Sequence, residues 1–169
     1  MDITVKKLKI VPFPFEKTNE LLSWVNNYEE QQFWAGNTFQ EGLNKDIFFI
    51  HLQRKDLYPF AFINSDELLA YGEIIENNKI SGILCRVIVR AKNRKKGIGK
   101  KFTDEIVKWA FTQKFLKTIR LNTYGDNLAA RKCYRSIGFK EIACKKNFRL
   151  VANKWKDLII MEKKSSNLL

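Results

Sequence analysis

The strongest restriction on how this chain folds comes from three consecutive pieces. Ile83–Val89 is an apolar run that reads as a buried strand. Lys100–Phe115 carries apolar residues at helical spacing. Between them lies Arg94-Lys95-Lys96-Gly97-Ile98-Gly99. A strand that turns through glycines into a helix points backbone N–H groups outward at the helix N-terminus. That end carries about half a positive charge and binds phosphate without needing a particular side chain. Gly97 and Gly99, lacking a Cβ, let such a ligand approach the main chain closely.

Two common phosphate loops do not fit. A Walker loop ending on Gly99-Lys100 needs Gly at 94 and Ser or Thr at 101, where Arg94 and Lys101 stand. The dinucleotide fingerprint needs a third glycine at the position of Phe102. What remains is R-x-x-G-x-G between strand and helix.

Charge agrees with an anionic ligand in this region. The chain carries a net charge of +13. Residues 1–81 hold 8 Lys and Arg against 12 Asp and Glu, giving −4, while residues 82–169 hold 23 against 6, giving +17. Seven Lys and Arg fall among the twelve residues Arg90–Lys101, on the glycine loop itself. That placement favours a compact phosphate ligand over the extended backbone of a nucleic acid, the other polyanion that such a charge attracts.

The 169 residues, 45% hydrophobic, suit one compact domain, 1–169. Neither a secretory signal nor a membrane span is legible. Cys85, Cys133 and Cys144 have no metal-type spacing, and His51 is the sole histidine, so no metal is expected and a reducing, cytoplasmic setting fits best.

Along the chain, Ile3–Ile10 reads as a strand ended by Pro12 and Pro14. Glu16–Asn26, capped by Thr18 or Asn19, then Tyr28–Trp34 and Leu43–Arg54 read as helices. Tyr58–Ile63 and Leu68–Ile75 are strands joined at Asn64–Glu67, and Asn77-Asn78 turns into the strand ending at Val89. After the loop, Phe102, Ile106, Trp109 or Ala110, and Gln113 define the buried helix face. Lys117–Tyr124 alternates as a strand. Asn127–Ile137 is a helix with Leu128, Ala130, Cys133, Tyr134 and Ile137 inward or partly so, closed by Gly138 in a left-handed cap. Phe139–Cys144 and Trp155–Met161 are final strands linked by a basic segment. The crossover helix makes Ile83–Val89 and Lys117–Tyr124 parallel neighbours in a mixed sheet with helices on both sides.

The loop resembles the coenzyme A pyrophosphate loop of the GNAT superfamily of N-acetyltransferases. Asn127-Leu128-Ala129-Ala130 is similar to the family's N-x-A-A segment, and Tyr134-Arg135-Ser136-Ile137-Gly138-Phe139 to its Y-x-x-x-G-F. Asp157–Met161 resembles the closing D-x-x-x-M strand of the branch that includes ribosomal-protein N-terminal acetyltransferases. The resemblance covers Ile83 to Met161, about half the chain. It implies the GNAT fold: a mixed, mostly antiparallel twisted sheet with a splayed parallel strand pair and helices on both faces. It also implies acetyl transfer from acetyl-CoA to a primary amine by direct attack in a ternary complex.

Residue by residue, the resemblance implies that backbone groups of Ile88 and Val89 pair with the pantetheine arm. Arg94 and the amides of Lys95, Lys96, Gly97, Ile98, Gly99 and Lys100 hold the pyrophosphate. The side chain of Asn127 bonds the pantetheine region, and Tyr134 lies near the sulfur. A phenol, with a reference pKa near 10, donates at neutral pH, so Tyr134 suits protonation of the leaving thiolate; packing between helix and sheet is its other reading. For the proton that the amine must lose, Ile83 stands where many relatives carry a glutamate. Glu73 could act through water, or be an exposed strand residue. His51 reads better as a surface or packing residue than as a base. Trp24, Phe33 and Trp34 either roof the acceptor site or fill the core.

The acceptor is not legible: a protein N-terminus, an amino acid, a polyamine and an aminoglycoside present the same amine. Whether acyl groups other than acetyl are used is not legible either, and a homodimer stays open. A catalytically silent acyl-CoA-binding module and a basic nucleic-acid-binding domain are the alternatives to an enzyme.

Overall fold

The computed structural model describes residues 7–166. Its strands are β1 (Ile10–Pro12), β2 (Leu57–Asn64), β3 (Glu67–Asn78), β4 (Ser81–Val89), β5 (Thr118–Tyr124), β6 (Lys140–Val151) and β7 (Lys154–Lys164). Its helices are α1 (Thr18–Leu22), α2 (Tyr28–Ala35), α3 (Lys45–Leu52), α4 (Ile98–Thr112) and α5 (Leu128–Ser136). The seven strands form one sheet in the order β1-β2-β3-β4-β5-β7-β6, with every neighbouring pair antiparallel except β4–β5.

Strand alternation divides the apolar residues between the two faces of this sheet. Phe60, Phe62, Ile74, Leu84, Leu121 and Met161 meet Phe102, Ile106 and Ala110 of α4 on one face. Ala61, Leu68 and Tyr71 meet Leu21, Ala35, Phe39 and Phe48, from α1 to α3, on the other. The faces are therefore covered by different parts of the chain: the crossover on one, the N-terminal helices on the other.

The feature that positions the site is where β4 and β5 stop pairing. Their parallel register runs from Ser81↔Thr118 to Leu84↔Leu121 and no further. Beyond it β4 continues to Val89 beside β3, and β5 continues to Tyr124 beside β7. The two strands part, and the splayed pair implied by the resemblance is present.

Several boundaries differ from the sequence reading. Ile3–Lys6 of the first expected strand lie outside the described residues. The strand covers Ile10–Pro12 and ends at Pro12, which pairs with Phe60 as a proline can because β1 is an edge strand. The first helix shortens to Thr18–Leu22 after a 3-10 turn at Phe15–Lys17. Neither Thr18 nor Asn19 caps it; Thr18 is buried inside it. Asn44 caps α3, its Oδ1 accepting from Ile47 N–H at 2.9 Å, which moves the helix start to Lys45. Asn77 and Asn78 are strand residues, and the turn falls at Lys79-Ile80. Gln113 is exposed past the end of α4, and Leu128 points to solvent at 68% exposure. The basic segment between the last strands is itself strand. β6 and β7 form one long hairpin, turning at Ala152-Asn153 with φ of 51° and 57°, as a two-residue hairpin turn requires.

Candidate active site

The opening between β4 and β5 is bounded by the α4 N-terminus, the C-terminal half of β4, and α5. At the first of these, Lys95 and Gly97 are left-handed, with φ of 61° and 78°. Gly97 is the N-cap of α4, and no side chain caps the helix or places a carboxylate in its first turn. A Cβ built on Gly97 would meet nothing within 4 Å. Lys95, Lys96, Gly97 and Lys100 are exposed. The result is an open group of amides at a positive helix end, ringed by lysines, which fits a pyrophosphate. Arg94 turns back instead: its Nε donates to the Val89 carbonyl at 3.0 Å and ties the loop to the strand end.

Along β4, Arg90 N–H donates to the Leu69 carbonyl of β3 at 3.0 Å. Antiparallel alternation therefore turns the backbone groups of Ile88 toward β3, and those of Val89 toward the side where β5 has left. Of the two residues implied to meet the pantetheine arm, only Val89 turns its backbone groups to the open edge, its amide facing the gap and its carbonyl already accepting from Arg94 Nε.

The third boundary follows from how α5 ends. Gly138 has φ 97°. Its N–H bonds the Arg135 carbonyl at 3.0 Å, and Phe139 N–H bonds the Tyr134 carbonyl at 3.1 Å. This Schellman closure sets Tyr134 and Phe139 against each other, with ring centroids 6.0 Å apart. The Tyr134 ring packs on the sheet core, and among the described residues its hydroxyl has no hydrogen-bond partner. Burial pushes the phenol above its usual range, and the Cys133 and Cys85 thiols add to the shift. At neutral pH the group is a proton donor. Asn127 caps α5, its Oδ1 accepting from Ala130 N–H at 3.2 Å, which leaves its amide nitrogen to donate elsewhere.

Behind β4 lies a polar cluster that sequence reasoning found only in part. Glu73 is 0% exposed, so the exposed-strand reading is corrected. Its carboxylate accepts from Arg86 Nε at 2.5 Å, Tyr71 OH at 2.5 Å and His51 Nε2 at 3.0 Å. Arg86 Nη1 donates to Thr38 Oγ1 at 3.0 Å. Burial alone would raise the Glu73 carboxyl, but the bonds from His51, Arg86 and Tyr71 outweigh it and hold the group below its ordinary value. Burial pushes the neighbouring Cys85 thiol up to about 12. His51 is buried and stacks on Phe48, so it is a packing residue with a polar edge, not a surface one. A signal for this cluster was available: Glu73 and Arg86 are opposite charges in two adjacent apolar strand runs, where each needs a partner.

Trp24 and Trp34 pack against the α1–α3 core, and Phe33 is exposed, 5.5 Å from the Tyr124 ring at the end of β5. The β6–β7 hairpin reaches the same place, with Arg149 Nη1 3.2 Å from Tyr124 OH.

A model of the acetyltransferase (GNAT) family matches residues 19–139. The chain belongs to the GNAT family. It is an acetyl-CoA-dependent N-acetyltransferase, an enzyme that uses acetyl-CoA and an amine. Its fold is similar to that of spermidine N-acetyltransferase from Vibrio cholerae in complex with CoA and spermine, with a TM-score of 0.82 and 18% identity over 95% of this chain and 97% of that one. A single-residue mutant of the Vibrio cholerae enzyme superposes with a TM-score of 0.80 at 18% identity, over 94% of each chain. A chimera of it with hSSAT does so with a TM-score of 0.77 at 20% identity, over 94% of this chain and 95% of that one. These relatives are polyamine enzymes, which corrects the branch read from Asp157–Met161: the likeness to ribosomal-protein N-terminal acetyltransferases does not hold. Asp157 explains why the motif misled. It is a local brace, accepting from Lys146 Nζ at 2.6 Å and Asn147 N–H at 3.0 Å across the hairpin, while Met161 is core. Among the described residues no helix is long and apolar enough to cross a membrane.

Proposed function

We propose that this GNAT enzyme is a cytoplasmic polyamine N-acetyltransferase whose acceptor is spermidine or a similar polycation. The observation that carries the chemistry is the β4–β5 opening, with an uncapped helix N-terminus at one boundary and a half-buried, protonated phenol at another. The open backbone edge at Val89 aligns the pantetheine arm, and the amides from Lys95 to Lys100 hold the pyrophosphate. The Asn127 amide steadies the arm, and Tyr134 gives its proton to the departing thiolate. Glu73, the expected acceptor of the amine's proton, is buried and has another part. The polyamine reading is supported by the names of the solved relatives and by the acidic balance of residues 1–81. The three free cysteines accord with a reducing compartment.

The test is a panel of amines at fixed acetyl-CoA, following release of the CoA thiol. Spermidine, spermine, a peptide with a free N-terminus, a free amino acid and an aminoglycoside span the alternatives. Spermidine or spermine is expected to give the highest kcat/KM, by about tenfold or more, the discrimination that one extra buried charge contact supplies. Preference for the peptide, the amino acid or the aminoglycoside would replace the polyamine reading.

A further inference from the structure

β3 and β4 fall out of step at one place. Between the pairs Tyr71↔Ile88 and Glu73↔Cys85, β3 advances by two residues and β4 by three. The extra residue makes a bulge, which bends a strand and increases its twist. Arg86 sits in that bulge with φ 52°. A side chain with a Cβ takes this conformation only where its surroundings hold it there.

They do so from three directions. Trp34 Nε1, on α2, donates to the Arg86 carbonyl at 2.7 Å. Thr38, between α2 and α3, accepts from Arg86 Nη1 at 3.0 Å. Glu73, on β3, accepts from Arg86 Nε at 2.5 Å and is itself held by Tyr71 on β3 and His51 on α3. The clamp closes two residues past Leu84, the last residue of β4 in register with β5. It therefore acts where the strands part.

We propose that Glu73, Arg86 and Trp34 are positioning residues for acetyl transfer. The buried pair and the indole fix the β4 bulge, and the bulge sets the free edge at Val89 along which the thioester arm is aligned. Glu73 does not take the amine's proton. A base must come within hydrogen-bond reach of the proton, directly or through one water. Glu73 has no exposed surface, and three donors already occupy its oxygens. This inference rests on the reading that the arm of acetyl-CoA pairs with that edge.

The experiment compares Glu73→Gln, Arg86→Gln, the double variant and Trp34→Phe. It uses pH profiles of kcat/KM with spermidine, kcat and KM for acetyl-CoA, and calorimetric binding of CoA. Misalignment of about 1 Å costs roughly 100-fold, so each charge variant should lose about 10- to 100-fold in kcat. The double variant should be no worse than either single one, because the two charges act as a unit. The acid limb of the pH profile should stay where it is in all four. Trp34→Phe leaves the charges in place, so it carries the test if a charge variant fails to fold; it should lose several-fold in kcat with an unmoved profile. Loss of the acid limb in Glu73→Gln would restore Glu73 as the base and overturn the proposal. So would wild-type kcat in both Arg86→Gln and Trp34→Phe. Failure of the wild-type enzyme to bind CoA would overturn the underlying reading instead.

Discussion

Tyr134 combines two properties: its half-buried ring packs against the core, and its hydroxyl is bonded to nothing among the described residues. Because burial holds the phenol above its ordinary range, it stays protonated through neutral and mildly alkaline assays. Activity should therefore rise with pH as the amine loses its proton, with no descending limb from Tyr134 near its reference value of about 10. Tyr134→Phe should lower kcat by about 10²- to 10⁴-fold, the usual worth of a placed general acid, and leave CoA affinity unchanged. Steady-state kinetics beside calorimetry separates the two, and an unaltered kcat would remove the role. Glu73 gives a stability prediction of the opposite kind. Its folded carboxyl is held below the ordinary value, so its stabilisation is complete above about pH 4.3 and is lost as pH falls through the lower folded value. The Tm gap between wild type and Glu73→Gln should shrink as pH is lowered from 7 to 3; a gap that stays constant would mean the carboxylate's charge adds nothing.

The start of α4 is the element proposed to bind the pyrophosphate, and its two glycines should respond differently. Gly97 is left-handed in open space, so Gly97→Ala meets no neighbour and costs only the backbone conformation, roughly 1–2 kcal/mol. In a chain of this size that is a Tm loss of about 2–8 °C by thermal melt. Gly99 lies within the helix, and its added Cβ would sit 3.4 Å from Val89 Cγ2, an ordinary contact. Gly99→Ala should therefore keep or slightly raise Tm, since alanine favours a helix by roughly 0.5–1 kcal/mol. The same methyl crowds the mouth of the opening, so CoA affinity should fall. If CoA affinity is unchanged in Gly99→Ala, the phosphate does not approach that turn. A simpler lesson comes from α3, where Asn44 takes over the cap and shortens a helix that apolar spacing alone extended to Leu43.

For the whole molecule, charge and topology act separately. If the +17 carried by residues 82–169 draws in coenzyme A through exposed lysines, salt should weaken binding, because it screens exposed charges with a Debye length of about 10 Å at 0.1 M and 3 Å at 1 M. The Kd for CoA should rise several-fold between 50 mM and 500 mM NaCl. If the acidic first half steers a cationic acceptor, kcat/KM for spermidine should fall over the same range; a flat profile would remove that steering. The strand, glycine turn and helix from Ile83 to Thr112, and the closure at Gly138, were legible in the residues themselves. Apolar periodicity and glycine geometry act over a few neighbours and need no distant partner. What stayed hidden depends on which strands lie side by side. Only the sheet register shows that β4 leaves β5 after Leu84, that Val89 and not Ile88 faces the gap, and that Glu73 meets Arg86 and His51 in the interior. Those residues are separated by 13 and 22 positions along the chain, and it is pairing between strands, not local preference, that sets their distances.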